Sequence, residues 1–161
     1  MEDGGGALWD IGPYAIHTLR QCFKESPKRV KAIAKLNKYG ADIATSGLID
    51  FGNSNRATFD ISFECTRRSE FEAFGPLGRV KCPTVWQPED KQTKIIINTE
   101  SSGLTEEVVP AANHFVLEIN HFNKVISSDI APKLSNEDAL WNARTLKSIE
   151  QSIKADDWVN L

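Results

Sequence analysis

The chain has 161 residues, 40% hydrophobic and 25% charged, with a net charge of −3 and a pI near 5.6. That is the size and make-up of one globular domain with a substantial core, and its acidic balance argues against nucleic-acid binding, which wants clustered positive charge. No apolar run approaches the roughly 20 residues of a membrane helix, and no basic stretch followed by an apolar one marks a secretory signal.

The spacing predicts a first helix from about Ala7 to Phe23, opened by Gly4, Gly5 and Gly6. Leu8, Ile11, Ala15, Ile16 and Leu19 form its candidate core face, and Ser26-Pro27 ends it. Pro13 removes a helical hydrogen bond, so the regular helix is expected to begin near it, with Gly12 in an irregular turn. Lys28, Arg29 and Lys31 form the one dense basic run, read as a solvated turn entering a strand. There Val30, Ala32, Ala34 and Leu36 alternate with Lys31, Ile33 and Lys35.

A turn at Gly40-Ala41-Asp42 leads to a second strand, about Thr45 to Phe51, and Gly52-Asn53-Ser54-Asn55 reads as a hairpin. Ala57, Phe59, Ile61, Phe63 and Cys65 then alternate with polar residues, the clearest period-two signal in the chain. Ser69 to Phe74 and Arg79 to Cys82 flank a turn at Gly75-Pro76-Leu77-Gly78, and Lys94 to Asn98 and Glu106 to Val109 are shorter strands. Pro83 to Gln92 is a loop that either lines a pocket or caps the sheet. Two helices close the chain. Phe115, Ile119, Phe122 and Ile126 make one apolar stripe; Ser135 caps the other helix, with Ala139, Ala143, Leu146, Ile149 and Ile153 toward the sheet. This order implies an α+β fold: an open, mostly antiparallel sheet of about six strands with helices on one face and the other face free for a partner.

Asp10, Tyr14 and His17 fall at i, i+4 and i+7 and share one helical face. A carboxylate, a phenol and an imidazole there can bind hydroxyls and move a proton, or simply be a solvated face. His114, Glu118 and His121 repeat the spacing with zinc-ligand residue types, but they border an apolar stripe and no metal is expected. The odd count of cysteines (Cys22, Cys65, Cys82) without metal-like spacing fits reduced thiols in a cytoplasmic protein. The glycine run is no dinucleotide fingerprint, because no strand precedes it and Trp9 stands where the last glycine would be.

The string from Gly4 through Leu8, Asp10, Gly12 and Tyr14 resembles the opening of the C-terminal domain of the glucose-fructose oxidoreductase / inositol dehydrogenase (Gfo/Idh/MocA) family. Its Asp-x-Gly-x-Tyr form is similar to the branch of dihydrodiol and xylose dehydrogenases. Asn113-His114-Phe115 with Glu118, Ile119, Phe122 and Ile126, and Ser135 with Glu137, Asp138 and Ala139 through Trp158-Val159, resemble the family's late helices and tail. The resemblance implies that residues 1–161 are one C-terminal substrate-binding and dimerisation domain, without the nucleotide-binding domain and its catalytic lysine. Lys24-Glu25-Ser26-Pro27 has similar letters to that lysine's motif in the wrong order. It further implies an NAD- or NADP-dependent oxidoreductase acting on a sugar, polyol or dihydrodiol-type alcohol, with this chain alone silent and binding no cofactor. Tyr14 would then be the acid/base, Asp10 its orienting carboxylate and His17 a substrate contact, and two copies would pair through the open sheet face. The rival reading is a non-catalytic small-ligand-binding or dimerisation module.

Overall fold

A computed structural model describes residues 5–23, 25–86, 91–128 and 130–161. Gly4 of the glycine run, Lys24 and residues 87–90 of the proline-bearing loop lie outside them. The chain forms two compact units, residues 1–65 with 134–161, and residues 66–133. The fold is α+β with open antiparallel sheets, as expected; the strands number eight among the described residues and divide into two sheets of four.

In the first unit the elements are α1 (Ala7–Asp10), α2 (Gly12–Phe23), β1 (Arg29–Leu36), β2 (Asp42–Gly52), β3 (Asn55–Ser62), α4 (Asn136–Ala155) and β8 (Val159–Asn160). Its sheet runs β3-β2-β1-β8, every neighbour antiparallel. The period-two signal sets the register: Val30, Ile49 and Ala57 share one row and Ala32, Gly47 and Phe59 the next. These residues meet Leu8 and Ile16 from the first helices and Leu146 and Ile149 from α4 in one core. The Phe59 ring lies across Gly47, where a Cβ would come within 2.6 Å of it. Rows on the opposite face carry Arg29, Asp50 and Arg56, then Lys31, Leu48 and Thr58, then Ile33, Ser46 and Asp60. That uncovered face is mainly polar, with Ile33 and Leu48 as its large apolar members.

Turn chemistry explains the connections. Asn37 Oδ1 accepts from the Tyr39 and Ala41 amides at 2.9 and 3.0 Å, closing the β1–β2 turn. At the β2–β3 hairpin Gly52, Asn53 and Ser54 all have positive φ, and Asp50 Oδ1 accepts the Gly52 amide at 2.8 Å. The period-two run ends sooner than expected: β3 stops at Ser62, and Phe63 and Cys65 are exposed.

The N-cap forecast at Ser135 is present and is part of a capping box, with Ser135 and Asp138 each serving the other's amide. Leu146 and Ile149 are buried and Ile153 half-buried, but Ala139 and Ala143 are exposed. The first turns of α4 meet α2 through Trp141 and Asn142 instead. β8 was not anticipated, being only two residues long. Where it runs out, the buried Ser152 hydroxyl accepts the Ala32 amide at 3.0 Å and donates to the Asp157 carbonyl at 2.7 Å.

The second unit contains β4 (Phe71–Gly75), β5 (Gly78–Cys82), β6 (Thr93–Thr99), β7 (Gly103–Val109) and α3 (His114–Ser128). Its strands form a meander in chain order. One sheet face is laced by Glu72–Arg79, Glu70–Lys81 and Lys94–Glu106 ion pairs, and the other carries Phe71, Ala73, Val80, Ile95 and Ile97. On α3 the stripe of Phe115, Ile119, Phe122 and Ile126 is helical as expected, and all four are exposed.

Candidate functional site

The start of the first helix is held by a carboxylate from the sheet. Gly5 and Gly6 have φ of 107° and 101°, values that side-chain-bearing residues rarely adopt. Gly6 lies so close to Asp42 that a methyl group there would overlap the carboxylate. Asp42 Oδ2 accepts from the Leu8 amide at 2.8 Å and from the Thr45 hydroxyl at 3.0 Å. A pyrophosphate cradle needs free amides at a helix start. Here the Leu8 amide is taken, and a negative charge stands beside it. The glycine turn therefore does not suit a dinucleotide.

The expected single helix is interrupted at Ile11. The Ile11 amide reaches the Ala7 carbonyl at 3.0 Å, but Pro13 has no amide to offer Trp9, so the ladder breaks and α2 restarts at Gly12. Gly12 packs closely: a Cβ there would sit 3.3 Å from Leu8 Cδ1 and Leu146 Cδ2 and 3.4 Å from Ile61 Cδ1, so these side chains would have to give by a few tenths of an ångström. Asn142 Nδ2 on α4 donates to the Pro13 carbonyl at 3.1 Å, fixing α2 at the same place.

With Leu8 and Ile16 turned inward, Asp10 and Tyr14 are exposed and His17 is half-buried. Tyr14 and His17 lie one turn apart within α2, while Asp10 stands across the break. None of the three makes a side-chain hydrogen bond or ion pair among the described residues. Burial, and then the Arg20 guanidinium one turn away, hold the His17 imidazole below its usual pKa. Three polar side chains with unspent hydrogen-bonding capacity, on a helix start anchored at two points, can grip a hydroxylated ligand.

The other constellation does not assemble. His121 Nε2 accepts the Lys133 amide at 3.1 Å, and no group of three potential metal ligands occurs among the described residues. Sequence reasoning missed Asp42 and Asn142. Asp42 stood out only as the end of a turn, and nothing local announces a partner 34 residues earlier.

An open-sheet α+β unit, led by glycine-started helices that carry an exposed aspartate and tyrosine and a half-buried histidine, is the class of domain this fold defines. The profile described as GFO/IDH/MocA C-terminal domain matches residues 1–81, half of the chain, and the chain belongs to that family. It is 30% identical over 99 residues to a trans-1,2-dihydrobenzene-1,2-diol dehydrogenase of Xenopus tropicalis, covering 60% of this chain and 29% of that protein. It is 20% identical over 158 residues to a D-xylose 1-dehydrogenase (NADP+) of Haloferax volcanii, covering 98% and 48%. Among solved structures, a 3-ketoreductase from Actinomadura kijaniata in complex with NADP superposes with a TM-score of 0.82 at 23% identity, over 92% of this chain and 48% of that one. The chain thus spans about half the length of the relatives it matches from end to end. No helix among the described residues is long and apolar enough to cross a membrane.

Proposed function

We propose that this chain is the substrate-binding and oligomerisation domain of an NAD(P)-dependent oxidoreductase acting on a sugar, polyol or dihydrodiol-type alcohol. The observation that carries this reading is the set of Asp10, Tyr14 and half-buried His17, without side-chain partners among the described residues, on a helix start clamped by Asp42 and Asn142. The family and the relatives that act on D-xylose and on a dihydrodiol support it. A nicotinamide, when bound by the rest of such an enzyme, supplies the hydride chemistry. Tyr14 takes or returns the hydroxyl proton, Asp10 orients the phenol or a substrate hydroxyl, and His17 holds a further hydroxyl. By itself the chain binds the alcohol without turning it over. The uncovered face of the first sheet pairs two copies, and three cysteines held as reduced thiols suit a cytoplasmic setting.

The test is a tryptophan-fluorescence titration, since Trp9 is 42% exposed and adjoins Asp10. Saturable quenching by D-xylose, a polyol or a dihydrodiol, weakened about 3- to 10-fold in Tyr14→Phe, matches the loss of one hydrogen bond of about 1 kcal/mol. Binding of NADPH at micromolar concentration, or sugar binding indifferent to Asp10, Tyr14 and His17, would overturn the assignment. Sugar binding that yields no turnover when a nucleotide-binding half is joined to the chain would point to a non-catalytic module.

A further inference from the structure

We propose that Trp9 is a specificity residue: its indole stacks on the flat face of a ring-shaped alcohol beside Asp10, so that cyclic sugars and ring dihydrodiols bind in preference to open-chain polyols. This rests on reading Asp10 and Tyr14 as the groups that grip the substrate's hydroxyls, and deepens it by naming the substrate's shape. The single turn α1 buries Ala7 and Leu8, which are 0% and 2% exposed. At about 100° per residue, that turn carries Trp9 and Asp10 outward together. Their Cα atoms are chain neighbours, about 3.8 Å apart, so one six-membered ring can lie against the indole while a hydroxyl on its rim meets the carboxylate. The backbone beneath them is fixed. The Leu8 amide donates to Asp42 Oδ2 at 2.8 Å, the Asp10 amide to the Gly6 carbonyl at 3.2 Å and the Ile11 amide to the Ala7 carbonyl at 3.0 Å.

Two other tryptophans are already capped. Trp141 lies under the Arg20 guanidinium, with Cζ 4.9 Å from the ring centre, and Trp158 under that of Arg29 at 4.5 Å. The Trp9 ring has no aromatic or cationic neighbour of this kind among the described residues, and the residue is 42% exposed. An indole left in water forgoes one of the largest apolar burials a side chain can make. A chair-form sugar carries its hydroxyls on the rim and C–H groups on its faces, and a dihydrodiol ring presents a π face. Either face can cover the indole while Asp10 and Tyr14 hold the rim. An open-chain polyol spreads hydroxyls along every side, presents no such face, and must also freeze its rotatable bonds on binding. Trp9 therefore favours the ring.

NMR chemical-shift titration of this chain with D-xylose and with xylitol, its open-chain counterpart, tests the idea without any activity assay. The parent chain should bind D-xylose about 5- to 10-fold more tightly than xylitol. Trp9→Ala should weaken D-xylose by about the same factor and change xylitol by less than about 2-fold. Trp9→Phe, which keeps a flat ring, should retain most of the preference. If Trp9→Ala fails to fold by circular dichroism, Trp9→Gln takes its place in the comparison. A parent that binds both ligands equally, or a Trp9→Ala chain that keeps the preference, overturns the proposal. Equal weakening of both ligands overturns it too, because the indole would then support the helix start and discriminate nothing. Binding weakened by Tyr14→Phe but indifferent to Trp9→Ala defeats the role of Trp9 alone. Binding of neither ligand to the parent defeats the underlying reading and this role with it.

Discussion

Replacing Asp42 should expose how the site helix is anchored. In Asp42→Ala the Leu8 amide, on a residue only 2% exposed, loses its acceptor, and the Thr45 hydroxyl loses its own. A hydrogen bond to a charged group contributes about 1.5–3 kcal/mol, and stranding a buried amide costs a similar amount, so the expected loss is about 2–4 kcal/mol. Asp42→Asn keeps an oxygen at the Oδ2 position, where both bonds are made, and should cost about 1 kcal/mol or less. Urea unfolding followed by tryptophan fluorescence would read this as a midpoint shift of about 1–2 M for alanine and under about 0.5 M for asparagine. Gly6→Ala adds a second axis. Its cost combines overlap with the Asp42 carboxylate and positive φ, and only the overlap is relieved in the Asp42→Ala background. The double variant should therefore be more stable than the sum of the singles predicts, by about 1 kcal/mol or more. Equal losses from Asp42→Ala and Asp42→Asn, or strict additivity with Gly6→Ala, would refute the clamp.

Ser152→Ala should cost about 2–3 kcal/mol, because the buried Ala32 amide and the Asp157 carbonyl both lose their partner, and hydrogen exchange at Ala32 should accelerate most. Gly47→Ala should destabilise by about 1–3 kcal/mol through its collision with the Phe59 ring, and Phe59→Leu in the same chain should recover part of the loss in a denaturation midpoint. Asp50 is held below the usual carboxylate range, first by the Gly52 amide and then by the Arg29 side chain. A carboxylate with a depressed folded pKa contributes stability above its unfolded value, near 3.9, and loses it as pH falls through the folded value. Asp50→Asn should therefore lower the plateau of a stability–pH curve near neutrality and flatten its acid limb, so that the variant and the parent converge as pH falls below about 4.

Features governed by neighbours in sequence were legible. Alternation from Ala57 to Ile61 fixed the face of β3, Gly52-Asn53 fixed the hairpin, and Ser135 announced a cap that Asp138 completes. Pro13 correctly warned of an irregular start to α2, though the break falls two residues before it, at Ile11. Features that depend on residues far apart in the chain were hidden. Asp42 reaches Leu8, Asn142 reaches Pro13 and Ser152 reaches Ala32 across 34, 129 and 120 positions, and no periodicity encodes such meetings. Asp10, Tyr14 and His17 were readable as candidates from spacing, but their lack of partners was not, because it depends on what the other elements do with their own side chains. The pairing of Arg20 with Asp138 and Trp141 was hidden for the same reason, since they lie more than a hundred residues later.

The first unit is stitched from the two ends of the chain, with residues 66–133 forming a contiguous unit between them. That arrangement sets an order of events during synthesis. When β3 has left the ribosome, the glycine-led helix and three strands have an unfinished core, because Leu146 and Ile149 are still about 90 residues away. At about 5–20 residues per second, that interval lasts roughly 4–18 s. The meander of β4 to β7 has only local pairings and can form during the wait. Only when α4 arrives do Asn142 and Asp138 reach α2, and only then does the C-terminal Leu161 amide find the Lys28 carbonyl at 3.0 Å. Asp10, Tyr14 and His17 precede the rest of this unit in the chain and are among the last of its residues to be fixed in place.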